Sequence, residues 1–404
     1  LTLVKKDNLS INSSPTKTKL EVIIMVLGVI IIAANLRAPI TSVGPVIMEI
    51  TKELRLTPVL VGLITTIPLM SFALLSTFTP KAARLIGLEK LLLYSLLLLA
   101  IGLFTRSIGN IFFLFLGAAL IGIAITIGNV LMPAFIKKEF PEKSGLITGY
   151  YLVSMNLVSA LAVGYSIRIG QITGFGWQAS IGIWGLFALL GFFIWLPQLR
   201  KKTPLSVQDK SQTAKTIWKS RLAWQIALFM GLQSFFFYIF AAWLPAMLQN
   251  WDMSADRSGW MLSYIQMGQV PMMLIGPLLA ARMKNQTSLV WVTFILLLIG
   301  LAGVLFWKTE YIIVSVILVG ISLGLAFALA TMFFVLRTKS ASESADLSGM
   351  SQSIGYLIAA CGPPIFGALY SVTSNWYVPL LMLFGAAFIL LLVGLAAARD
   401  KYVT

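Results

Sequence analysis

The chain has 404 residues, and 58% of them are hydrophobic before its 32 glycines are counted, against about 45–50% with glycine included for a soluble domain. Only 11% are charged, too few to cover the water-facing surface of a fold this size, so a water-soluble enzyme is excluded and lipid is the expected solvent. The net charge is +16, His is absent and Cys361 is the lone cysteine, which removes a disulfide framework within the chain, a multi-thiolate zinc site and the commonest general base; no metal or cofactor is expected.

In chain order the expected elements are a polar tail at 1–19, then about twelve apolar runs long enough to cross hydrocarbon as helices. They cover 20–50, 58–84, 90–105, 111–136, 145–167 and 177–196, then 223–248, 259–282, 289–307, 312–336, 349–372 and 377–398. The first run is too long for a cleaved leader and continues through Asn35, Arg37 and Pro39. Pro39, Pro45, Pro68, Pro133, Pro271 and Pro363 lie inside runs and predict bends. Among the 30 Lys and Arg, the loops on one side hold only Lys52, Arg55, Arg106, Arg168, Arg257 and Lys308, and Arg37 lies within a run. All the others fall on the side of the two termini and the central loop, which predicts that both termini and that loop are cytoplasmic. Orientation accounts for the basic excess, and nucleic acid is not needed as a partner.

The polar stretch at 198–221 divides the runs six and six, giving an N-terminal bundle at 20–197, a linker at 198–221, a C-terminal bundle at 222–398 and a tail at 399–404. Ala82-Ala83-Arg84 recurs as Ala280-Ala281-Arg282, and Leu120-Ile121-Gly122-Ile123 is matched by Leu318-Val319-Gly320-Ile321, both at an offset of 198. Ser144-Gly145 recurs as Ser348-Gly349 at 204. Two all-α six-helix bundles related by pseudo-symmetry place a cavity between them near the midplane, the geometry of an alternating-access carrier. Gly145-x-x-x-Gly149 and Gly320-x-x-x-Gly324 predict close helix approach.

This pattern resembles the major facilitator superfamily. The turn Pro80-Lys81-Ala82-Ala83-Arg84-Leu85-Ile86-Gly87-Leu88-Glu89-Lys90 is similar to the superfamily signature Gly-x-x-x-Asp-Arg-x-Gly-Arg-Arg, keeping Arg84, Gly87 and Lys90 but placing Ala83 at the acidic position. The salt bridge made there by the missing Asp is therefore not expected in that form. Asn35-Leu36-Arg37-Ala38-Pro39 with Val43-Gly44-Pro45, followed by Thr65-Thr66-Ile67-Pro68, is similar to the cyanate permease and nitroimidazole transporter family. The resemblance implies movement of a small anion or small polar organic solute through a monomeric, multi-pass carrier of the inner or plasma membrane. It also marks Arg84, Gly87, Lys90, Arg282 and Pro39 as conformational or gating positions.

Arg37 is the most informative residue. It lies about seventeen residues into a run of about thirty, near mid-bilayer, where a guanidinium costs about 2.5–3.5 kcal/mol on the insertion scale and should face a cavity. The nearest acid along that run, Glu49, is about 18 Å away at 1.5 Å per residue, and every acidic residue falls in a tail, a loop or a run end. An anion is the natural partner for such a charge. The same lack of a deep acid or His favours facilitated movement, exchange, or co-transport in which the solute carries the proton. Asn156, Tyr238, Gln269 and Tyr356 are the preferred neutral lining residues, on the helices that line the cavity in the resembled superfamily. Asn35 joins them if the helix breaks near Pro39, because it stands 200° from Arg37 on an ideal helix. Aligning Pro39 with Pro245 places Trp243 opposite Arg37 as an aromatic wall.

A drug or toxic-compound efflux carrier of the same fold is the competing reading; it favours a wider, more aromatic cavity and often an embedded acid. A membrane receptor or enzyme is disfavoured by the absence of an output domain, of His and of clustered deep acids. No Gly-rich phosphate loop followed by Lys supports ATP-driven pumping.

Overall fold

The computed structural model describes residues 19–200 and 217–403. The expected tail at 1–19 and linker at 198–221 lie largely outside the described residues. The helices are α1 (Lys19–Asn35), α2 (Ala38–Thr41), α3 (Ile47–Glu53), α4 (Pro58–Leu75), α5 (Thr79–Ile86), α6 (Leu88–Arg106), α7 (Ile111–Glu139), α8 (Ser144–Thr173) and α9 (Gly176–Trp195) in the first half. The second half holds α10 (Arg221–Gln249), α11 (Ala255–Arg282), α12 (Thr287–Phe306), α13 (Ile312–Leu336), α14 (Ala341–Thr373) and α15 (Tyr377–Ala397). Among the described residues, eleven stretches are long and apolar enough to cross a membrane, and α4 with α5 supplies a twelfth, bent by 66°.

Neighbour relations repeat between the halves. α1 packs on α8 and α9 as α10 packs on α14 and α15; α4 packs on α7 as α11 packs on α13; α6 packs on α7 and α9 as α12 packs on α13 and α15. Each half has its own apolar core, one built around Ile32, Leu92, Ile121 and Leu152, the other around Phe229, Leu297, Val316 and Leu383.

The first crossing is one span of 35 residues made of pieces, α1, α2, a 3-10 turn at Gly44–Val46 and α3. Pro39 explains the first break: its ring collides with the carbonyl four residues back, that of Asn35, and it has no N–H to donate. Pro45 sits in the 3-10 turn. Elsewhere the prolines do not interrupt the helices, because α4, α7, α11 and α14 each continue through Pro68, Pro133, Pro271 or Pro363 as one element.

α14 begins two turns before the apolar run at 349–372. Ser340 caps it by accepting from the Glu343 amide at 3.2 Å, while Glu343 Oε2 accepts from the Lys339 amide at 2.7 Å, a reciprocal cap that starts a helix of polar residues. Asp346, expected in a loop, therefore sits in the second turn of a helix. The chain end also departs from a free tail: the Val403 amide donates to the Arg337 carbonyl at 2.8 Å, and Val403 is buried.

The halves meet along the side that carries the termini. On α8, a Cβ at Gly145 would lie 2.5 Å from Ala281 Cβ and 2.6 Å from the Pro277 carbonyl of α11, and one at Gly149 would lie 3.1 Å from Leu274. On α14, a Cβ at Gly349 would lie 2.5 Å from the Ser76 carbonyl. Lys137 donates to the carbonyls of Val335 and Thr338, each at 2.5 Å. Arg84 forms an ion pair with Asp346 and donates to Ser342 Oγ at 3.3 Å. Ala83 stands where the signature has its acid, yet Arg84 finds a carboxylate on the opposite half.

Candidate functional site

Between the halves, just beyond this seam, lies a cavity of about 220 Å³ bordered by Arg37, Asn129, Tyr238, Gln266, Gln269 and Tyr356 with the apolar Phe72, Phe237 and Phe327. Both halves contribute residues to its wall.

Arg37 enters this wall because the chain is broken beside it. With φ −125° and ψ −38° it is the residue before α2 rather than part of α1, and the kink points its side chain across to α8, where Nη1 donates to Asn156 Oδ1 at 2.6 Å. Its guanidinium also lies over the Phe237 ring of α10, 5.0 Å from the centroid, a cation–π contact that ties it to the second half. Among the described residues it forms no ion pair. One of its five N–H donors is used by Asn156.

Asn156 is a hydrogen-bonding hub behind Arg37. Besides accepting from Arg37, its Nδ2 donates to the Leu152 carbonyl at 2.9 Å and to Met273 Sδ at 2.6 Å on α11. Farther toward the terminus side, Tyr151 donates to Asn129 Oδ1 at 3.2 Å and Gln352 donates to the Asn129 carbonyl at 3.0 Å, so polar groups continue below the cavity. Among the described residues no Asp or Glu borders the cavity.

A second arginine lies inside the helical layer. Arg106, which the charge tally assigns to an outer loop, is 1% exposed. Its Nη2 donates to the Pro39 carbonyl at 2.6 Å. Gly117 makes room for it, since a Cβ there would lie 2.6 Å from Arg106 Cβ. The guanidinium thus satisfies backbone exposed by the break and braces the segment that carries Arg37. The pairing of a mid-run proline with an unexplained arginine at a neighbouring run end is the only sequence signal for it.

A model of the Major Facilitator Superfamily matches residues 25–360. The chain belongs to the major facilitator superfamily. It is 41% identical over 96% of its length to the uncharacterized transporter YycB of Bacillus subtilis (strain 168), of which 97% is covered. It is 35% identical to the 2-nitroimidazole transporter of Escherichia coli (strain K12), covering 94% of this chain and 96% of that one. With the cyanate transport protein CynX of the same organism it shares 25% identity, over 87% of this chain and 91% of the other. The proton:xylose symporter XylE superposes with a TM-score of 0.73 at 10% identity, covering 94% of this chain and 97% of that one, a likeness of fold. The protein is a multi-pass membrane transporter and not an enzyme.

Within this superfamily fold the expected site residues separate. Arg37, Tyr238, Gln269 and Tyr356 border the cavity, and Asn156 is bonded to Arg37. Asn35 is not brought there: it is fully buried inside the first half, donates to the Ile31 carbonyl at 2.8 Å and faces α9 near Gly191. The break at Pro39 does occur, but Asn35 stays on the α1 side of it and only Arg37 turns inward. Trp243 is also elsewhere. It donates to the Pro363 carbonyl at 2.8 Å and packs against Phe366 and Trp376 at the far-side end of the second half. α10 runs unbroken through Pro245, so the alignment of Pro39 with Pro245 has no structural counterpart.

Of the gating positions, Arg84 crosses to the other half, Gly87 with φ +98° makes the turn between α5 and α6, and Pro39 breaks the first span. Lys90 and Arg282 are exposed. The offsets that relate the halves pair Arg84 with Arg282 and Asp346 with Glu142, and among the described residues no Arg282–Glu142 ion pair is formed. Phe237 and Arg106 are the contributors that the sequence did not single out as site residues. Their phase on the helices becomes visible only with the neighbours in place.

Proposed function

We propose that the protein is a secondary carrier of the cell membrane, with cytoplasmic termini, that moves a small anion such as cyanate or a carboxylate, or a small polar organic solute, by alternating access. The observation that carries this reading is Arg37: a guanidinium in the wall of the inter-half cavity with no carboxylate to balance it among the described residues. Such a charge is stabilised by an anionic group entering the cavity, and two oxygens on that group suit the planar fork of the guanidinium. Asn156 holds the fork, while Tyr238, Gln269 and Tyr356 supply neutral polar contacts and Phe72, Phe237 and Phe327 supply flat apolar walls. The names of the nitroimidazole and cyanate relatives support the same size class.

A cavity of about 220 Å³ is smaller than the ~300–1,000 Å³ of drug-sized sites, which speaks against the efflux reading. With no acid in the lining among the described residues and no His in the chain, coupling by exchange, by uniport or by a proton carried on the solute fits better than a protein-borne proton relay. Arg84 with Asp346 is the gate on the terminus side in this scheme.

The test is uptake of cyanate, benzoate and 2-nitroimidazole by purified protein in liposomes, with and without an imposed proton gradient. Arg37→Gln is expected to lower anion flux at sub-saturating concentration by about tenfold or more, the worth of a charge-assisted hydrogen bond, and Arg37→Lys to fall between. Anion flux unchanged by Arg37→Gln overturns the binding role.

A further inference from the structure

A lysine near the end of a membrane-spanning helix ordinarily reaches out to the membrane surface. Lys137, in the last turn of α7, does not. It is half-buried and crosses the seam between the halves, where its ammonium donates to the carbonyls of Val335 and Thr338, each at 2.5 Å. Both carbonyls lie at the C-terminal end of α13, in the other half. They occupy two of its three N–H donors but bring no net charge to balance it. Among the described residues Lys137 forms no ion pair, whereas the adjacent Lys138 is paired with Glu89 at 2.5 Å.

α7 leads from the solute cavity to this ammonium. Asn129, Pro133 and Lys137 are spaced four apart, so they follow one side of the helix over about 12 Å. Asn129, with Phe327 and Tyr356, borders the main cavity and also a smaller one of about 20 Å³, which is further lined by Pro133, Tyr151, Thr331 and Gln352. Gln352 crosses the seam here to the Asn129 carbonyl. A polar seam at this depth costs free energy against an apolar one, unless it lines a water-filled path in the other state of the carrier.

We propose that Lys137 is a second anion site, the one from which the solute leaves on the terminus side. When the halves part there, α13 withdraws its carbonyls and the ammonium takes the anionic group of a small carboxylate or similar anion, which has passed from Arg37 by way of Asn129. This rests on the carrier reading of Arg37 above. A full negative charge attracts the ammonium more strongly than a carbonyl dipole does. An anion that binds Lys137 only after α13 has withdrawn favours the open form, so the solute itself helps to open the side on which it is released.

The experiment is a benzoate titration of full-length protein in nanodiscs, in a Cys361→Ser background with spin labels at the exposed Ile172 and Val372, on the far-side ends of α8 and α14. Benzamide, of the same size and uncharged, is the comparison, at ionic strength held constant with sodium chloride. In wild type, benzoate is expected to raise the ratio of short to long far-side distances about tenfold or more, the worth of a hydrogen bond between charged groups, and benzamide is expected to leave it within about twofold. Lys137→Met should start from a higher ratio, because α13 has lost its donor, and should no longer respond to benzoate. Lys137→Arg should respond, and so should Asp346→Asn, which loosens the same seam but keeps the ammonium. A benzoate response that survives Lys137→Met overturns the proposal and leaves Lys137 a brace of the seam. Loss of the response in Asp346→Asn overturns it as well, since loosening alone would then abolish the effect. No response in wild type also overturns it: if Arg37-dependent benzoate uptake is intact only the Lys137 site falls, and if that uptake is absent the carrier reading falls with it.

Discussion

Arg106 donates to the Pro39 carbonyl from a position almost sealed from solvent, and this bond couples two residues whose roles differ. Arg37 is half-buried at the cavity, with Asn156 its one hydrogen-bond acceptor among the described residues. Arg106 does not line the inter-half cavity and serves the backbone that aims Arg37. Its Nε is itself without a partner, so the site tolerates one imperfect contact to secure another. Replacing Arg106 with Gln should weaken solute binding although the residue touches no solute. The expected pattern is a roughly tenfold rise in the dissociation constant with maximal transport rate retained, and a lower unfolding temperature, since a hydrogen bond to a charged group contributes about 1.5–3 kcal/mol. Arg106→Lys should recover part of both. Titration of binding beside thermal unfolding measures this, and a fall in stability without any change in affinity would show that Arg106 does not position Arg37.

Among the elements, α8 and α11 form the tightest contact between the halves, and glycine makes it possible. At Gly145 the missing Cβ leaves room for Pro277 and Ala281, and such small-residue contacts are how membrane helices approach without a hydrophobic drive. Gly145→Ala should hold this seam apart, because one of the atoms it meets is backbone that cannot step aside. Transport is expected to drop tenfold or more while expression and monodispersity stay normal. Gly164→Ala, on the same helix with nothing within 4 Å of the added Cβ, is the matched control and should transport normally. α3 shows a second device: Glu53 accepts from Trp177 at 2.7 Å and from Gln178 at 2.8 Å, which pins the far end of the broken first span to α9.

For the whole molecule, the cross-half bonds are concentrated on the terminus side: Arg84 with Asp346, Lys137 with the end of α13, Ser353 with the Ala73 carbonyl and Gln352 with the Asn129 carbonyl. The structure is the state closed on that side. Breaking one partly buried ion pair should favour the opposite state, since an equilibrium shifts by the difference in contact free energy between its two forms. Asp346→Asn is expected to move it by at most about 3 kcal/mol, the lower range for breaking a buried pair. Spin labels at the exposed Ile172 and Val372, on the far-side ends of α8 and α14, should report a larger fraction of short distances in the variant. An unchanged distribution would mean that Arg84–Asp346 does not set the balance between states.

Apolar run length, the bias of Lys and Arg and the recurrence of short segments at 198 and 204 were enough, from the sequence alone, for the membrane setting, the helix number and the two-fold division. These are properties of local composition, and each helix satisfies its own backbone hydrogen bonds within lipid. Arg37 was legible as a cavity residue for the same reason: a charge at that depth has few places to go. Which polar side chain faces which space was not legible. Asn35 and Arg37 are two positions apart and end on opposite sides of a break whose direction depends on Arg106 and α8. Asp346 looked like loop because its helix begins with polar residues that make sense only against Arg84. Gln266 and Gln269 stand one turn apart on α11 and both border the cavity, and which side chains face it is a property of packing between helices distant in the chain, which only the tertiary structure decides.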